Sequence, residues 1–174
     1  MTSGSTPAPA DLSTLILRAA ATADTVGFWP GPGSVAADAT THIVRFLGLI
    51  LAGDQDLHPR ELNLYGRVIQ ATLGERPTHD DLQVAAMEAL DQATDPEGLD
   101  AFIRSTPAYL RSLIEMDRAH RTREARRVVE ALGALGYAIL EADDRAAAEE
   151  GYILRGHINH LRGELATAGV MEDA

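Results

Sequence analysis

The chain predicts an all-α fold, a compact bundle of about seven helices. Three observations carry this. Apolar residues recur at offsets of three, four and seven through most of its 174 residues, which is the period of a buried helical face. Prolines stand where helices open, at Pro59, Pro96 and Pro107, positions where the missing N–H costs nothing. No stretch alternates apolar and polar residues over the length of a strand. The length suits one domain with a sizeable core. We place a loose tail at 1–10, one helical domain at 11–168 and a short tail at 169–174.

The first helix is capped by Asp11 or Ser13 and carries Leu12, Leu15, Ile16 and Ala19. The loop from Gly27 to Gly33 holds the single tryptophan, Trp29, read as a plug over the end of the bundle. A second helix covers about 34–53 with the stripe Ile43, Phe46, Leu47, Ile50 and Leu51. The third opens at His58-Pro59 and ends near Gly74, and a fourth starts at Thr78 with Asp80 and Asp81 at the positive end of its dipole. A broken pair spans 96–118. A sixth helix covers about 122–142, and the seventh carries Leu154, Ile158, Leu161 and Leu165.

Within this series one pattern occurs twice. Aligning Asp54 with Asp143, 89 residues later, places Ile43, Phe46 and Ile50 on Leu132, Leu135 and Ile139. It also places Glu61 on Glu150, and Tyr65 and Ile69 on Leu154 and Ile158. Each copy is a helix, an acid turn and a second helix. The two read as pseudo-symmetric halves of one domain.

Each aspartate stands where a helix ends, and a carboxylate there opposes the negative end of the dipole at about 0.3–1 kcal/mol. A cation, an arginine or the next helix start must compensate. Asp54, Asp56 and Glu61 form one candidate set of oxygens for a hard divalent cation; Asp143, Asp144 and Glu150 form the other. The competing reading of the first set is capping, with His58 as N-cap and Glu61 bonding back to it. In the second copy Ala147 would stand at the N-cap, a poorer cap. The motif is not an EF-hand, because Pro59 and Tyr65 occupy the places of its glycine and bidentate glutamate.

These residues resemble the TerB-like family, named for tellurite-resistance proteins. Its hallmark is an apolar helix ending in Ala-Asp-Gly, with a glutamate seven after the aspartate. Here the corresponding residues are Gly53-Asp54-Gln55 with Glu61, and Ala142-Asp143-Asp144 with Glu150; both copies lack the glycine after the aspartate. The resemblance covers about 40–165. It implies an all-α fold, a role in stress or metal response, and acids that bind a divalent cation such as Ca²⁺, Mg²⁺ or Mn²⁺.

Composition narrows the function classes. The formal net charge of −11 argues against general nucleic-acid binding. Cysteine is absent and all 15 basic residues are arginine, which excludes thiolate zinc sites, Schiff-base lysines and a phosphate-loop lysine. No catalytic serine elbow or nucleotide fingerprint occurs. No apolar run approaches the roughly 20 residues of a membrane span, and the start lacks the basic region of a signal peptide, so the expected location is the cytoplasm. Arg118, Arg121, Arg123, Arg126 and Arg127 form a basic block around His120 that suits an anionic protein partner or a membrane-associated one.

The leading expectation is therefore a non-enzymatic module, cation-binding at the acid turns and acting through protein partners, with no catalytic residues. A rival is an enzyme with a carboxylate/histidine metal centre built from His157, His160 and Glu164 with Asp117 and His120. The chain has no Glu-x-x-His pair, whereas a di-iron bundle needs two. A third reading is a metal-free helical adaptor.

Overall fold

The computed structural model describes residues 7–29, 31–53, 58–75, 77–142 and 148–170. Among these the chain forms eight helices and no strand: α1 Pro9–Val26, α2 Val35–Leu51, α3 Pro59–Leu73, α4 His79–Ala93, α5 Pro96–Ile103, α6 Ala108–His120, α7 Glu124–Leu140 and α8 Ala148–Thr167. The all-α bundle is as expected. The broken pair resolves into α5 and α6 because Thr106-Pro107 cannot continue a helix.

The helix starts follow local chemistry. Thr78 Oγ1 accepts from Asp81 N, and Asp81 Oδ2 accepts from Thr78 N, a reciprocal cap; the Thr78 hydroxyl, donating to Asp81 Oδ2 at 2.6 Å, and then the Thr78 N–H hold the Asp81 carboxyl below its ordinary pKa. Ser34 caps α2 through its own hydroxyl, and Asp24 of α1 adds a second acceptor for Val35 N at 2.9 Å. The start of α1 corrects the sequence reading. The helix opens at Pro9, with Ala8 at the N-cap, so residues 9 and 10 belong to it. Ser13 is buried and donates to Ala10 O instead of capping. At the other end of the chain, α8 closes on Gly169 at φ 72°, with Val170 N donating to Leu165 O at 3.1 Å, a left-handed C-cap.

α1 and α2 lie at the centre. α1 packs on α2, α3, α6 and α7, and α2 also meets α4 and α8. Ala19, Ala20 and Ala23 are buried on α1, so neighbouring backbones approach closely. The stripe on α2 is fully buried, as are its partners Leu132, Leu135 and Ile139 on α7. Gly136 lies where α2, α7 and α8 meet. A Cβ there would stand 2.4 Å from Leu154 Cδ1 and 3.1 Å from Ile50 Cδ1, so any larger residue would force the Leu154 side chain to shift. Trp29 is half-buried and packs with Phe28 against the core, consistent with a plug.

The repeated pattern has the same burial in both copies. Phe46 and Leu135, Ile50 and Ile139, and Tyr65 and Leu154 are each at most 1% exposed. Tyr65 is the one polar member, and its hydroxyl donates to Val44 O at 3.2 Å. Burial, with the Glu88 charge nearby, pushes that hydroxyl up to about 12, so it stays a donor.

Candidate functional site

Of the six acids proposed as cation ligands, Asp54, Asp56, Asp143 and Asp144 lie outside the described residues. The structure does place the other two. Glu61 and Glu150 are each 1% exposed, which is unusual for a carboxylate on the first turn of a helix, since ionised side chains are costly to take out of water. The capping reading holds for Glu61: its Oε2 accepts from His58 N at 3.2 Å, while His58 Nδ1 accepts from Arg60 N. The cap turns the Glu61 carboxylate back onto the His58 backbone.

Described residues on either side of the two turns are in contact: Gly53, which precedes the first, lies against Glu150, which follows the second. A Cβ built on Gly53 would lie 3.2 Å from Cα, N and Cγ of Glu150. The last described residue before Asp54 is thus pressed on the second copy's glutamate. Beside this junction lies a cavity of about 370 Å³ lined by Gly53, Ala93, Leu99, Ala148, Glu149, Tyr152 and Ile153. Tyr152 and Tyr137 are more than half exposed.

The histidines are arranged differently from the metal-centre expectation. His157 does not act with His160. Its Nε2 stands 2.9 Å from Nε2 of His42, and its Nδ1 lies 3.0 Å from Ile103 O. His42 Nδ1 in turn lies 3.1 Å from the Tyr109 hydroxyl. The rings of Phe46 and Phe102 enclose the pair. A carbonyl only accepts, so His157 carries its proton on Nδ1. Its Nε2 then accepts from His42 Nε2–H, and His42 Nδ1 accepts from Tyr109 O–H. The chain runs one way from Tyr109 to Ile103, and both ring nitrogens of each histidine are used. Burial, His157 and Arg45, in that order, lower His42 to about 3. Burial lowers His157 to about 4, with His160 adding to the shift and the Ile103 bond opposing it. Burial and the Asp38 charge raise the Tyr109 hydroxyl. His160 faces elsewhere, with Nε2 3.0 Å from Thr106 Oγ1.

Asp117, also offered as a metal ligand, lies in α6 and caps the start of α7 with its side chain. It is 2% exposed and accepts from Thr122 Oγ1, from Glu124 N at 3.0 Å and from Ala125 N at 2.8 Å. It therefore sits on the positive end of α7. Arg121 has φ 55° and turns the chain so that this cap can form. His120 is exposed, edge-on to Phe28. Glu164 is exposed at the end of α8. Among the described residues no group of three or more histidine, aspartate or glutamate side chains is placed to hold a metal ion.

The arginine block forms the α6–α7 corner. Arg118 pairs with Glu115 at 3.0 Å and donates to Ala168 O. Arg126 pairs with Glu130 and Arg127 with Glu124. Arg121 and Arg123 are exposed. Pairs this exposed contribute up to about 1 kcal/mol each, so they shape the surface more than they hold the fold. No described helix is long and apolar enough to cross a membrane. The chain matches no family model, no curated protein and no solved structure.

Proposed function

We propose that this chain is a TerB-like, non-enzymatic module that binds a hard divalent cation where its two acid turns come together. It acts through protein partners, with the arginine corner as the docking surface for an acidic one. One observation carries the cation reading: the first acid turn is bracketed by two buried glutamates, Glu150 packed on Gly53 at its start and Glu61 beyond its end. On this reading the twofold sequence pattern gathers acids from both halves in a protein of net charge −11. A divalent ion would offset the repulsion among them. Three side chains from each half, completed by backbone carbonyls and water, suit the oxygen shells of Ca²⁺, Mg²⁺ or Mn²⁺.

The test is thermal denaturation with and without millimolar Ca²⁺, Mg²⁺ and Mn²⁺. At a hundredfold excess over the dissociation constant, the ion should add about 2.7 kcal/mol of stability. Asp54→Asn with Asp143→Asn should remove that increment while keeping or raising the ion-free melting temperature, because it relieves like-charge repulsion. A wild-type melting temperature indifferent to all three ions would reduce these acids to helix caps.

A further inference from the structure

We propose that the His42–His157 pair is an acid-operated latch on α5: a second proton on the pair parts the two rings and frees the Phe102–Ile103 end of that helix while the rest of the bundle stays folded. The argument begins with how many protons the pair can hold. At 2.9 Å only one hydrogen fits between the two Nε2 atoms. A first proton can be taken up on His42 Nδ1 if the Tyr109 hydroxyl turns from donor to acceptor. The next would have to go on His157 Nε2, facing the N–H of His42, and two N–H groups cannot share that gap. The His–His bond must then break, and each imidazolium needs water.

The cheapest route to water is through α5. It is the shortest helix, eight residues long, and it packs mainly on α4 and α8. Its inner face is Phe102 and Ile103. Phe102 stacks on both histidine rings, and the Ile103 carbonyl ends the hydrogen-bond chain. Ile103 also packs on Gly156, where a Cβ would come within 3.0 Å of its Cγ2. The latch and the helix it holds are thus the same contact. By contrast, His42 and His157 belong to α2 and α8, whose buried apolar residues run from Val35 to Leu51 and from Ile153 to Leu165.

The charges around the pair do not supply a counter-ion. On α2, Arg45 lies over the Phe102 ring, 4.9 Å from its centroid, and bonds Gln92 of α4; it repels an added proton. Asp38, also on α2, accepts from Tyr109 N at 2.8 Å. On α5, Asp100 pairs with Arg104 on the exposed side. On α6 the facing group is the Tyr109 hydroxyl, and on α8 the nearest titratable neighbour, His160, bonds Thr106 and disfavours a proton on His157. The depressed basicity of both rings agrees with this setting.

Two measurements on the full chain test the latch. Imidazole ¹H–¹⁵N spectra at neutral pH should show His42 as the Nε2–H tautomer and His157 as the Nδ1–H tautomer. Hydrogen exchange, corrected for its intrinsic pH dependence, should show α5 amides less protected than those of α2 and α7 at every pH, and losing protection at least tenfold between pH 7 and pH 4.5. In His42→Gln/His157→Gln, which cannot titrate there, that loss at α5 should vanish. The proposal is overturned if either tautomer is reversed, or if α5 amides in the wild type are as protected as those of α2, so that α5 opens only with the whole fold. It is equally overturned if the double variant keeps the pH-dependent loss at α5. Should the variant fail to fold, the two wild-type measurements decide.

Discussion

Lowering the pH from 7 to 4.5 should remove about 5 kcal/mol of folding stability through two side chains alone. In the unfolded chain His42 and His157 protonate near pH 6.5; in the fold they resist until about 3 and about 4. Between those values the unfolded state binds more protons than the native one, so stability falls as pH falls. The contribution is complete above pH 6.5 and decreases by about 1.4 kcal/mol per histidine for each unit below it. The loss slows once the pH passes through the folded values. A native stability of about 5–15 kcal/mol leaves little margin against such a term. Urea unfolding at pH 7, 6, 5 and 4.5 measures it directly. Midpoints that hold steady down to pH 5 would mean that the rings are hydrated or already charged in the native state. Opening of α5 would appear first, because it gives the same protons access without unfolding the core.

The second large effect should come from Asp117→Ala. This carboxylate is almost fully buried and accepts from two backbone N–H groups and the Thr122 hydroxyl at the start of α7. Hydrogen bonds to a charged group are worth about 1.5–3 kcal/mol each, and an orphaned buried donor costs a further amount. Loss of an ordinary cap costs about 1 kcal/mol. Water can replace part of this at a helix end, so we expect about 3 kcal/mol in total, a fall of roughly 6–12 °C in melting temperature for a domain of this size. Asp117→Asn should lose less than half as much, because it keeps an acceptor. Calorimetry on both variants separates a cap from a metal ligand: the loss should be the same with and without divalent ions. A fall under 2 °C for the alanine variant would contradict the capping assignment.

The helices were legible because their signals are local. The stripes, the helix start at Thr78 with Asp80 and Asp81, and His58-Pro59 with Glu61 each need only a few neighbouring residues, and each forms as read. The broken pair was legible in Asp95-Pro96 and Thr106-Pro107, and it forms as α5 and α6. The histidine pair was not legible. His42 lies at the spacing of Ala39, Phe46 and Ile50 on the buried face of α2, and a polar ring on an apolar stripe must find a partner. That signal was present, but the partner is 115 residues away in sequence. His157 and His160 sit three apart, which suggested one shared site; the helix turns them toward different neighbours, the core and Thr106. Asp117 misled for a similar reason. Its spacing to His120 fits a ligand pair, whereas its chemistry serves the next helix start. For the acid turns the sequence showed the repeat, and packing adds one contact between the copies, Gly53 against Glu150.

The claim that the acid turns gather a cation is tested most directly by a crystal grown with Mn²⁺ and measured for anomalous scattering. The account predicts a peak at the Gly53–Glu150 junction, with carboxylate oxygens from both halves, Glu61 or Glu150 among them, at about 2.0–2.5 Å. It also predicts that the peak disappears in Asp54→Asn/Asp143→Asn. An ordered structure with Mn²⁺ absent from that end, or bound there with ligands from only one half, would contradict it.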